Sequence, residues 1–224
     1  MNPMITSEII PITYIAGSGG TFLSNFITYA KLNNKNLMTF STNGNAHSCT
    51  LDITTDNKLH SYSTDQLDYL LSKGKGTSDP PYYIPIHYSD KLILDDLVTD
   101  KFNKLIRITY TQSDINDIVC AFLGKYHIDE RGMTAPIIRS KFSIIPPTYN
   151  FFLERFKISD SKVLDISWNH LLYNDIDILV NELSNFTTIP KDNFNLENLL
   201  NWRSKTLQGI ENVKYIIGDS HGIQ

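Results

Sequence analysis

Five residues near the start of the chain, Gly17-Ser18-Gly19-Gly20-Thr21, have the types and spacing of an anion cradle. They follow the apolar run Ile9-Ile10-Pro11-Ile12-Thr13-Tyr14-Ile15 and open into Thr21-Phe22-Leu23-Ser24-Asn25-Phe26-Ile27-Thr28-Tyr29-Ala30, whose apolar spacing is helical. Strand, glycine turn and helix in that order let successive backbone N–H groups converge, and the positive end of the helix dipole faces the same point. A phosphate or a sulfate is the natural guest. The phosphate loop of ATP and GTP enzymes ends in Gly-Lys-Ser/Thr, and no lysine stands near this turn. The dinucleotide fingerprint asks for a third glycine where this chain has Phe22. The same glycines also suit a turn used only for tight strand–helix packing. His87 is the second candidate, at the end of the aromatic and β-branched run Tyr82-Tyr83-Ile84-Pro85-Ile86-His87. Sites of α/β proteins gather at strand ends, and an imidazole with a pKa of about 6.5 can take a proton at neutral pH.

Gly17-Ser18-Gly19-Gly20-Thr21-Phe22-Leu23 resembles the N-terminal phosphosulfate loop of PAPS-dependent sulfotransferases, usually Lys-Ser-Gly-Thr-Thr-Trp-Leu after a strand. Ser18, Gly19, Thr21 and Leu23 match, Phe22 replaces the tryptophan, and Gly17 stands where the family keeps a cation. Ile84-Pro85-Ile86-His87-Tyr88 is similar to the segment in which the family places a histidine that accepts the acceptor's proton. Lys104 to Ile115 looks like the strand-to-helix unit that reads the nucleotide 3′-phosphate. Here Tyr110 replaces the family arginine and Ile118 the serine, leaving Thr111 and Ser113 as hydroxyl donors. Lys162 to Ser167, followed by Trp168-Asn169-His170, resembles the later strand that leads into Tyr-Glu-Asp-Leu.

The resemblance implies a P-loop-like three-layer α/β fold with a mostly parallel central sheet flanked by helices. It implies PAPS as cofactor, held by Gly17, Ser18, Gly19, Gly20, Thr21 and Phe22 with help from Thr111 and Ser113. His87 would be the base for sulfuryl transfer to a hydroxyl or amine acceptor of unspecified class, with no metal. Arg107, Arg131, Arg139, Arg203 and Lys205 are the basic residues that could replace the missing cations. Two rival readings stand beside it: a non-catalytic α/β scaffold or viral protein that kept the fold, and a kinase-like transferase, which would need the absent phosphate-loop lysine.

The elements that must position these residues are legible as alternation. Strands are expected at the N-terminal apolar run and at 37–40, 82–88, 104–110 and 162–167. Helices are expected at 21–30, 63–71, 91–97, 114–126, 147–156, 175–186 and 196–208, with 127–146 irregular. Alternation of this kind implies a layered α/β fold. With 224 residues, 41% hydrophobic and 20% charged, a single domain over 1–224 is expected. A net charge of −4 gives no general attraction to nucleic acid or anionic lipid, so any anion site must be local. Cys49 and Cys120 lack metal spacing and suit a reducing compartment. No apolar run has membrane-spanning length, and the first eight residues lack a basic signal-peptide region. The expected location is therefore the cytoplasm. Plentiful asparagine, isoleucine and tyrosine, with scarce alanine and arginine, hint at an AT-rich genome of the kind many viruses carry.

Overall fold

The computed structural model of the chain describes residues 9–38, 40, 81–87, 104–125, 134–142 and 163–218. The helices expected at 63–71, 91–97 and 147–156 lie outside these residues, as does Arg131. What is described is an α/β structure around one parallel sheet of four strands, β1 (Ile9–Tyr14), β2 (Tyr82–His87), β3 (Leu105–Thr109) and β4 (Val163–Ser167), in the order β2-β1-β3-β4. β1 is an inner strand, and residues 10–14 along it are all buried. Burial of both faces is the condition under which a parallel strand reads as one continuous apolar run.

The helices are α1 (Gly20–Lys31), α2 (Ile115–Leu123), α3 (residues 135–142), α4 (Trp168–Tyr173), α5 (Ile176–Thr187) and α6 (Leu196–Gly218). Three expectations need correction. Residues 37, 38 and 40 are not in a strand; Met38 N–H instead donates to Asn198 Oδ1 at 2.7 Å, so α6 holds this segment. The stretch expected to be irregular contains α3, started by Thr134, whose carbonyl accepts from the amides of Ile137 and Ile138. Pro136 is harmless there, because the first turn of a helix has no use for its missing N–H. Finally, α6 runs ten residues beyond the expected end at 208. Gly209 does not break it: this glycine lies on the stripe Trp202, Thr206, Gly209, Val213 and meets Gly124 of the α2 end backbone to backbone.

α6 also holds α4 in place. Arg203 donates from Nε to Leu171 O (2.9 Å), from Nη1 to Asn174 O (2.7 Å) and from Nη2 to His170 O (3.1 Å). These are carbonyls at the C-terminal end of a short helix, which have no intrahelical partner and favour a cation. Ser167 closes the other end of α4 by accepting from His170 N–H at 3.0 Å. Arg203→Met is expected to destabilise the fold by about 3 kcal/mol, because it removes charged donors from several carbonyls at once. Urea denaturation measures this, and Arg203→Lys should recover less than half, since an ammonium lacks the planar fork.

Candidate functional site

The glycine turn links β1 to α1 and is buried along its length from Gly17 to Gly20. Gly17 (φ 91°) and Gly19 (φ 89°) take left-handed backbone angles, which only glycine adopts freely. Ile15 O accepts both the Ser18 amide (3.1 Å) and the Ser18 hydroxyl (2.8 Å). Ser18 is 0% exposed, and its hydroxyl is turned back onto the strand. Leu23 N–H donates to Gly19 O at 2.9 Å and begins the helix.

Each of the three glycines is closely approached by another part of the chain. A Cβ on Gly17 would lie 2.3 Å from Ile118 O of α2. On Gly19 it would lie 2.7 Å from the Trp202 indole, and on Gly20 it would lie 2.1 Å from the Tyr14 ring. Trp202 is itself fully buried and stacks on Phe22, with ring centroids 4.3 Å apart and planes 4° from parallel. Phe22 in turn stacks on Phe26 at 5.5 Å. Tyr14 reaches over the helix start to share a 3.1 Å hydrogen bond with the Thr21 hydroxyl, and burial pushes its phenol up to about 12. The turn is closely packed where a Cβ would stand, by α2 at Gly17 and by aromatic rings at Gly19 and Gly20.

Its place in the sheet is nonetheless the one where α/β ligands bind. The chain passes from β1 to β2 on one side and from β3 to β4 on the other. Strand order therefore reverses between β1 and β3, the switch point of an open sheet. Here α2 comes up to the turn, with Ile118 and Phe122 against Gly17. His87 ends β2 in register with Tyr14, which puts its backbone at the same sheet edge as the turn; its side chain lies outside the described residues. Thr111 and Ser113 sit after β3. The Thr111 amide and hydroxyl both donate to Asp114 Oδ2 (2.7 and 2.8 Å), and the Thr111 hydroxyl also meets Ser113 Oγ at 2.8 Å. Both hydroxyls thus belong to a capping arrangement at the start of α2.

Those of the basic residues named from sequence that the structure describes have other work. Arg107 makes a bidentate pair with Asp165, directly opposite on β4, with both N–O distances 2.6 Å. Arg139 donates to Ile216 O, Arg203 caps α4, and Lys205 donates to Phe40 O at 3.1 Å. Among the described residues, a cation that reaches Trp202, the residue packed on Gly19, is Lys125, which sequence reading missed. It lies in a wide turn that continues α2, is 6% exposed, and holds its Nζ 5.4 Å from the centroid of the Trp202 ring. Burial alone lowers its pKa to about 8. The available signal was the spacing of Leu199, Trp202, Thr206 and Gly209 on one face of α6, which marks a core stripe. No family model, no curated protein and no solved structure matches the chain.

Two outcomes follow from this geometry. Gly20 is helical, so Gly20→Ala would ordinarily stabilise by about 0.5–1 kcal/mol; against the Tyr14 ring it should destabilise. In a Tyr14→Ala background the sign should reverse, and a double-mutant cycle by chemical denaturation measures the coupling. The second outcome concerns Lys125, whose folded pKa of about 8 lies below its ordinary 10.5. Between those values the unfolded chain binds more protons, so this residue makes stability rise with pH, and its penalty is fully present below pH 8. Tyr14, Tyr83 and Cys120 act oppositely, since burial raises each to about 12 and the unfolded groups ionise above pH 9 to 10. Subtracting the stability profile of Lys125→Met from that of the wild type cancels their contribution. The difference should climb from pH 8 to 10.5 by on the order of 3 kcal/mol.

Proposed function

We propose that this chain is a non-catalytic α/β module of sulfotransferase-like, P-loop-like three-layer layout, whose glycine turn serves packing in place of nucleotide binding. One observation carries the reading: every glycine of the turn is closed by a neighbour, Gly17 by α2, Gly19 by Trp202 and Gly20 by Tyr14. The residue chemistry agrees. Gly17 and Tyr110 stand at the positions where the resemblance expects cations, and Arg107 is committed to Asp165. Losing a well-placed electrostatic donor costs on the order of 10²–10³ in rate, and both cations are absent from those positions.

A second reading, PAPS-dependent sulfuryl transfer to a hydroxyl or amine, is favoured by the strand order. The turn follows an inner strand at the switch point, and His87 ends the adjacent strand level with Tyr14. In that reading Trp202 leaves Gly19 when the nucleotide enters, and His87 is the base. Thermal unfolding with PAP, PAPS, ATP or GTP separates the two. A ligand at 100 times its dissociation constant stabilises by about 2.7 kcal/mol. The module reading expects no shift with any of the four at millimolar concentration. A saturable rise with PAP or PAPS alone would replace it with the second reading.

A further inference from the structure

Two buried hydrogen-bond donors and one ammonium lie where α6 meets the end of α2, and none has an acceptor among the described residues. The Trp202 indole N–H and the Thr206 hydroxyl, both on fully buried residues one turn apart on α6, lack any hydrogen-bond partner. Lys125 enters from α2, next to the Gly124–Gly209 backbone contact on that same stripe, and its Nζ lies over the Trp202 ring. Among the described residues its ammonium has neither an ion-pair nor a hydrogen-bond partner. The neighbouring side chains offer no relief: Lys214 pairs with Asp117 at 3.0 Å, more than two helical turns along α2, and Arg203 and Lys205 are bound to carbonyls.

Two unmet donors are costly to bury, and the ammonium over the Trp202 ring has no countercharge among the described residues. Packing alone gives no reason to keep them, because a methionine at 125 would fill similar space without a charge. The indole and phenyl rings around them lower the local dielectric, so a negative charge placed there would interact strongly with the ammonium. Trp202 contributes an N–H directed in the ring plane, and Thr206 a hydroxyl free to rotate. Positive charge with directional donors, and no carboxylate among the described residues beside them, is what selects an oxyanion.

We propose that Lys125, Trp202 and Thr206 form a binding site for one small oxyanion group, a sulfate, a phosphate or the carboxylate of a small metabolite. The site stands apart from the nucleotide question: it is on the α6 side of Trp202, it needs no opening of the glycine turn, and it is independent of the proposed function. The anion neutralises Lys125 and gives an acceptor to both orphan donors. Its binding fastens the α2–α6 contact, and so fixes the helix that carries Trp202 onto the turn.

Titration calorimetry of the wild-type chain with sodium sulfate, sodium phosphate and sodium acetate in separate arms tests this, with sodium chloride at matched ionic strength as reference. The expected result is saturable binding of one equivalent in at least one arm, and the arm that responds identifies the group. Lys125→Met should abolish binding, and Thr206→Val and Trp202→Phe, which keep the packing, should each weaken it about tenfold, the loss of one charged hydrogen bond. Sulfate stabilises proteins generally by exclusion from their surface, so melting shifts count only as the difference between wild type and Lys125→Met. Absence of saturable binding in all three arms overturns the proposal. Equal binding by wild type and Thr206→Val also overturns it, whether or not Lys125→Met folds.

Discussion

The contact of the Trp202 ring with Gly19 is the constraint on which the rest of the described structure depends. Gly19 can make it because it has no Cβ and accepts a left-handed φ of 89°. The ring then stacks on Phe22, one turn into α1, so a single residue of α6 fixes both the turn and the helix it opens. Aromatic pairs of this kind contribute about 0.5–1.5 kcal/mol beyond the area they bury. The remainder of α6 is arranged around that seat. Asn198 bonds the backbone of residues 36 and 38, Arg203 bonds the end of α4, and Gly209 lets α2 approach.

Charge is distributed in keeping with this. Each described arginine serves architecture: Arg107 joins two strands, Arg139 holds the end of α6, and Arg203 completes α4. The planar fork of arginine, a group well suited to gripping phosphate oxygens, is engaged in these three residues by a carboxylate or by backbone carbonyls. Lys125 is the exception. It is buried against Trp202 with no countercharge among the described residues, and its depressed pKa expresses that cost.

The α/β character and the four strands were legible in the sequence, because parallel strands buried on both faces leave unbroken apolar runs such as Ile9 to Tyr14. The glycine turn was legible as a turn, though its content was not. Gly17, Gly19 and Gly20 signal close approach by something, and a sequence does not say whether that is a phosphate or an indole. The close approach seen in the structure comes from Trp202, about 180 residues away, and from Tyr14, whose ring folds forward over the helix start. Local pattern is blind to both. The extension of α6 past Gly209 was hidden for a related reason, since a glycine that breaks an isolated helix is tolerated where it meets another backbone. No helix among the described residues is long and apolar enough to cross a membrane.

Native-state hydrogen exchange at the Ser18 and Leu23 amides tests the closure of the turn most directly. Both are hydrogen-bonded within it, to Ile15 O and Gly19 O. If the aromatic rings hold the turn shut, these amides open only with the core and exchange with the full unfolding free energy, as core elements do. Exchange through local opening, several kcal/mol below the global value and unchanged by Trp202→Ala, would contradict the account.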